Sequence, residues 1–145
     1  MSYVMSYFTY CSATWNNCNV SDKQKLERLN VRALRRVYNK RVPLHGDDDY
    51  GFTLPNRHLQ DIAILIFKAV NGMLPKYISD LFVVRNNVKC LRGTNNLVVP
   101  RKKTSNFGLK STTFISAKVW NSLPDKLRTT KILKKFKKTV RELHL

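Results

Sequence analysis

Leu59, Ile62, Ala63, Ile66, Phe67 and Val70 recur at helical spacing, and the residues from Ile62 to Phe67 form an unbroken apolar run. A helix with so wide an apolar face cannot stay in water, so the rest of the chain has to supply partners that surround it. This spacing predicts a central core helix that begins near Asn56. It is expected to stop at Asn71-Gly72, where a left-handed cap suits both residues. The apolar run is far shorter than the ~20 residues that cross a bilayer, so no membrane span and no membrane partner are expected.

The flanking segments read as those partners. Ser21 and Gln24 fit a capping box at the start of a helix from about Asp22 to Asn39. There Leu26, Leu29, Ala33 and Val37 form an apolar side, and Lys25, Arg28, Arg32, Arg35 and Arg36 a wholly basic one. Pro75 suits the first position of a short turn through Tyr77, Ile78 and Leu81. Ser111 is placed to cap a helix that holds Phe114, Ala117, Val119 and Trp120 and that Pro124 ends. A last helix, near Thr130 to Leu143, sets Ile132, Leu133, Phe136, Val140 and Leu143 against Lys131, Lys134, Lys135, Lys137, Lys138 and Arg141.

The remaining stretches are less regular. Met1 to Trp15 carries Tyr3, Tyr7, Phe8, Tyr10 and Trp15, rings that ordinarily need burial. As a helix it is expected to leave an exposed apolar patch. Pro43 to Thr53, with Gly46, Gly51 and Asp47-Asp48-Asp49, reads as an exposed loop. Between Val83 and Leu109 the periodicity fails, and a small hairpin built on Leu97-Val98-Val99 fits as well as an irregular loop. The expected fold is therefore mainly α: about five helices in an irregular bundle with a possible small β-hairpin, a single domain over residues 1–145.

Charge divides this domain. The chain holds 27 Lys and Arg against 9 Asp and Glu, a net charge of +18. Residues 85–145 hold 16 basic and 2 acidic residues, net +14, which leaves net +4 for the more apolar residues 1–84. A field of this sign and size attracts polyanions, of which nucleic acid is the commonest. The three cysteines, Cys11, Cys18 and Cys90, are an odd number without a secretory leader, which favours reduced thiols and an intracellular, cytoplasmic or nuclear setting.

Catalytic chemistries find little to work with. Polymerase chemistry needs carboxylates that clamp two metal ions, and Asp47-Asp48-Asp49 reads instead as a solvated loop. Cys11 and Cys18, with Cys90 or His58, have the wrong spacing for structural zinc, and the first two are expected to be packed small hydrophobes beside Trp15. His45, His58 and His144 lack a nucleophile partner, and the five glycines form no phosphate loop. No enzyme activity, cofactor or metal is expected of these residues. Arg101-Lys102-Lys103 and Lys134 to Lys138 stand apart, since no acids are interleaved with them. They are the candidate nucleic-acid-binding residues Arg101, Lys102, Lys103, Lys134, Lys135, Lys137 and Lys138. No base-reading motif accompanies them, so binding without sequence preference is expected.

Several short motifs run in series along the chain. Tyr7-Phe8-Thr9-Tyr10-Cys11-Ser12 precedes Trp15 and Cys18, and Lys25-Leu26-Glu27-Arg28-Leu29-Asn30 precedes Arg32-Ala33 and Arg35. Leu54-Pro55, Arg57, Phe67-Lys68-Ala69, Asn71-Gly72, Pro75, Tyr77-Ile78 and Asp80-Leu81 follow. Leu91-Arg92-Gly93, Pro100-Arg101-Lys102-Lys103-Thr104, Gly108-Leu109-Lys110-Ser111 and Trp120-Asn121-Ser122-Leu123-Pro124 complete the order. In order and spacing this resembles the carboxy-terminal tail of reverse transcriptases from jockey-like non-long-terminal-repeat retrotransposons. The resemblance implies a non-catalytic fragment of an RNA-directed DNA polymerase that copies element RNA into DNA at a nicked target, with RNA or DNA and the polymerase core as partners. Two other readings stay open: a structural module that docks on the polymerase body with its basic faces merely solvated, and a relict open reading frame whose product does nothing.

Overall fold

The computed structural model describes residues 2–15, 18–38, 54–85, 95–101, 104 and 108–143. Within them the chain is mainly helical, in an irregular bundle: α1 (Ser2–Thr9), α2 (Ser12–Trp15), α3 (Val20–Tyr38), α4 (Leu54–Val70), α5 (Lys76–Ser79), α6 (Thr112–Ser122), α7 (Asp125–Arg128) and α8 (Leu133–Glu142). The expected number of about five helices is corrected to eight among the described residues. The difference arises from three single-turn helices, α2, α5 and α7, the first of them made by the division of the aromatic amino-terminal stretch in two. That division falls at Tyr10-Cys11, where Cys11 has φ 50 and cannot continue α1.

α4 is the central helix, as its sequence requires, and α1, α2, α5, α6 and α8 all pack on it. Its Ile62, Ala63, Ile66 and Phe67 join Leu97, Ala117, Trp120, Leu123, Leu127, Phe136 and Val140 in one core. Phe136 stacks on Phe67 with ring centroids 4.3 Å apart, and Trp120 lies 6.1 Å from Phe136. The end of α4 is the one anticipated. Gly72 takes φ 68, its N–H donates to Ala69 O, Met73 N donates to Lys68 O at 2.8 Å, and the Asn71 side chain caps Phe67 O.

Some local expectations fail, each for a visible reason. α3 begins at Val20, because the Asn19 carbonyl already accepts from the Asp22 and Lys23 amides, so Ser21 and Gln24 lie inside the helix and are not its cap. Its buried stripe is Asn30, Val31 and Leu34, while Leu29 is half exposed; on that buried side Leu54 N donates to Glu27 Oε2. Ser111 stands at the N-cap position of α6, yet its hydroxyl pairs with Thr113 Oγ1 and with no helix amide. Pro75 sits one residue before its helix and not at its first position, whereas α6 ends at Ser122, ahead of Pro124 as expected. Among the described residues the possible hairpin is a single antiparallel bridge, Val84 with Leu97, flanked by Arg85 N to Asn96 O and Val98 N to Val83 O.

The amino-terminal helices dock on α4 through polar contacts. Ser12 Oγ donates to Asp61 Oδ2, His58 Nε2 meets Phe8 O at 3.3 Å, and the Trp15 and His58 rings meet edge to face at 4.7 Å. Tyr7 and Tyr10 stay 81% and 75% exposed, which matches the apolar patch expected there. Cys11 is exposed and Cys18 half buried, so packing as small hydrophobes is corrected for Cys11.

Candidate nucleic-acid interface

Packing decides which side of α8 faces water. Leu133, Phe136, Val140 and Leu143 lie along one stripe, with Phe136 and Val140 fully buried and the outer two packed against the same core. α8 runs antiparallel to α4: Phe136 lies on Phe67, and further along Gln60 Nε2 donates to the carbonyls of Arg141 and Leu143. That side-chain amide satisfies orphan carbonyls at the end of α8 and pins its carboxy terminus.

With the apolar stripe fixed, Lys134, Lys135, Lys138 and Arg141 are exposed and Lys137 is half buried. The ion pairs among the described residues are Lys25–Asp22, Arg57–Asp61 and Arg128–Asp125, so none of the α8 lysines has a carboxylate partner there. Lys134 and Lys138 lie one turn apart, a like-charge pair that costs a few tenths of a kcal/mol in a helix. Phe136 and Val140 hold this arrangement in place against that repulsion. A polyanion laid along the face relieves it.

The other candidates are placed less fully. Arg101 is exposed just past Pro100, and among the described residues no hydrogen bond or ion pair joins it to α8. Lys102 and Lys103 lie outside the described residues, as do Asp47, Asp48, Asp49, Cys90, His45 and His144. On α3 the basic side expected from the spacing is exposed at Lys25, Arg28, Arg32, Arg35 and Arg36. Among the described residues no group of three His, Cys, Asp or Glu is arranged to hold a metal ion, and no helix is long and apolar enough to cross a membrane.

Charge alone does not mark the interface, as Arg128 shows. Its side chain is buried, held by the Asn96 and Asp125 side chains, and it ties α7 to the segment that carries Leu97. The residues of Trp120-Asn121-Ser122-Leu123-Pro124 are likewise structural. Trp120 is fully buried with Nε1 on Asn95 O at 2.8 Å, Leu123 fills the core, and Pro124 opens α7. Comparison with protein-family models, curated sequences and solved structures found no match for this chain.

Proposed function

We propose that this chain is a non-catalytic, nucleic-acid-holding part of a retrotransposon reverse transcriptase, which keeps RNA or DNA near the polymerase through charge and without reading bases. The serial motifs support the family origin. The binding role rests on one observation: Phe136 and Val140 lock α8 so that Lys134, Lys135 and Lys138 face solvent without carboxylate partners among the described residues. Lysines on this face would neutralise phosphates and release their counterions to solvent, and the lack of any base-reading motif makes the contact indifferent to sequence.

The test is to titrate unrelated single-stranded RNA and DNA sequences into the purified chain across a range of salt. Comparable affinities that fall steeply with salt support the reading. A weak, salt-insensitive signal favours instead a module that docks on the polymerase body, for which the exposed Tyr7 and Tyr10 are the specific support.

A further inference from the structure

A pocket of about 200 Å³ opens where α2, α3 and α4 meet, with Trp15, Lys23, Leu26, Glu27, Leu54 and His58 in its wall. It is distant in sequence from α8 and takes no part in the interface described above. We propose that it is a nucleobase pocket, in which one base of a bound single strand stacks beside Trp15 while a neighbouring phosphate meets Lys23. The proposal rests on the nucleic-acid-binding reading and names a second contact for the same ligand.

Three features favour a base over other occupants. The first is that Trp15 is half buried and held at two points, Nε1 to Tyr10 O at 2.7 Å and the edge-to-face contact with His58, so the ring is positioned before any ligand arrives. Pre-set aromatic rings are the usual platform for single-stranded bases, because every base has a π-face. The second is size and lining. Most of the wall is apolar, and the volume falls below the roughly 300–1,000 Å³ of pockets for drug-sized ligands, which suits a single flat ring system.

Charge is the third. Lys23 is exposed at the pocket and has no hydrogen-bond or ion-pair partner among the described residues, whereas Glu27 is engaged by Leu54 N. Lys25 is already paired with Asp22, and Arg28 and Arg32 are exposed on the other side of α3, which leaves Lys23 as the cation at the pocket. A strand with its base in the pocket thus has the Lys23 ammonium for a neighbouring phosphate.

The experiment uses the full chain and two short single strands of equal length and phosphate number, one bearing bases with a central 5-iodouracil and one abasic throughout. The proposal expects the base-bearing strand to bind about tenfold more tightly, within the range of one base–aromatic stack. Irradiation should then crosslink the iodouracil to Trp15, read by peptide mapping. Equal affinities for the two strands, or crosslinks confined to the 133–142 helix, would overturn the pocket while leaving the α8 interface standing. Failure of both strands to bind would overturn both.

Discussion

Asn121 holds Leu97 at both of its backbone polar groups: Nδ2 donates to the Leu97 carbonyl at 3.0 Å, and Oδ1 accepts from the Leu97 N–H at 2.9 Å. A side-chain amide here does what a neighbouring strand would do. It closes the outer edge of a bridge whose inner edge pairs with residues 83–85, and it allows Leu97, only 3% exposed, to enter the core without stranding its peptide groups. Trp120, one residue earlier, donates its Nε1–H to the Asn95 carbonyl.

Replacing Asn121 with Ala strands both Leu97 groups. At about 1–3 kcal/mol for each buried unpaired group, Asn121→Ala should lose roughly 2–6 kcal/mol in urea unfolding. A loss below about half a kcal/mol, the size of an ordinary surface substitution, would show that the clamp is not needed.

Ser116 presents the opposite case. Its hydroxyl is fully buried in α6 and has no hydrogen-bond partner among the described residues. Ser116→Ala removes an unsatisfied group and improves helix propensity, so stability should hold or rise by about 1 kcal/mol. A clear fall on thermal unfolding would reveal a bond that the geometry does not contain.

At Gly72 the backbone alone decides the outcome. The residue sits at φ 68, and a Cβ added there meets nothing within 4 Å. Gly72→Ala should therefore cost about 1–2 kcal/mol through left-handed strain with no steric clash, and Gly72→Asn should cost less because Asn tolerates this region. Equal stability of all three would contradict the cap.

His58 makes stability depend on pH in a defined direction. Burial lowers its pKa below the ordinary 6.5, outweighing the Phe8 carbonyl and Asp61, which raise it, while Lys23 lowers it further. The unfolded chain then binds the proton more readily than the folded one, so His58 contributes stability above about pH 6.5 that is lost as pH falls toward its depressed folded value. His58→Gln should flatten this part of the stability profile. An unchanged profile would place the titration elsewhere.

Much of the bundle can be read from the sequence, because the apolar spacing in α4, α6 and α8 reports a single buried face. Gly72 is legible for the same local reason. α3 is not, because Leu26, Leu29 and Ala33 form as plausible a stripe as Val31 and Leu34, and the buried face is the one on which Glu27 meets the Leu54 N–H, a tertiary contact. The exposed lysines of α8 follow directly from their place opposite Phe136. The structural burial of Arg128 does not, since its partners Asn96 and Asp125 are brought together by tertiary packing. The pocket beside Trp15 joins α2, α3 and α4, and no spacing within one segment announces it.

Charge on α8 is the central claim, and it is tested most directly by changing Lys134, Lys135, Lys137 and Lys138 together to Gln, which keeps helix propensity while removing four charges. The measurement is a set of single-strand binding isotherms from low to physiological salt for parent and variant, with circular dichroism to confirm the fold. The account predicts an affinity loss of similar size for unrelated sequences. It also predicts a salt slope flatter by at most about 2.8, from about 0.7 for each phosphate that is no longer neutralised. Slopes and affinities identical to the parent would contradict it, because the face fixed by Phe136 and Val140 would then not be the one that nucleic acid touches.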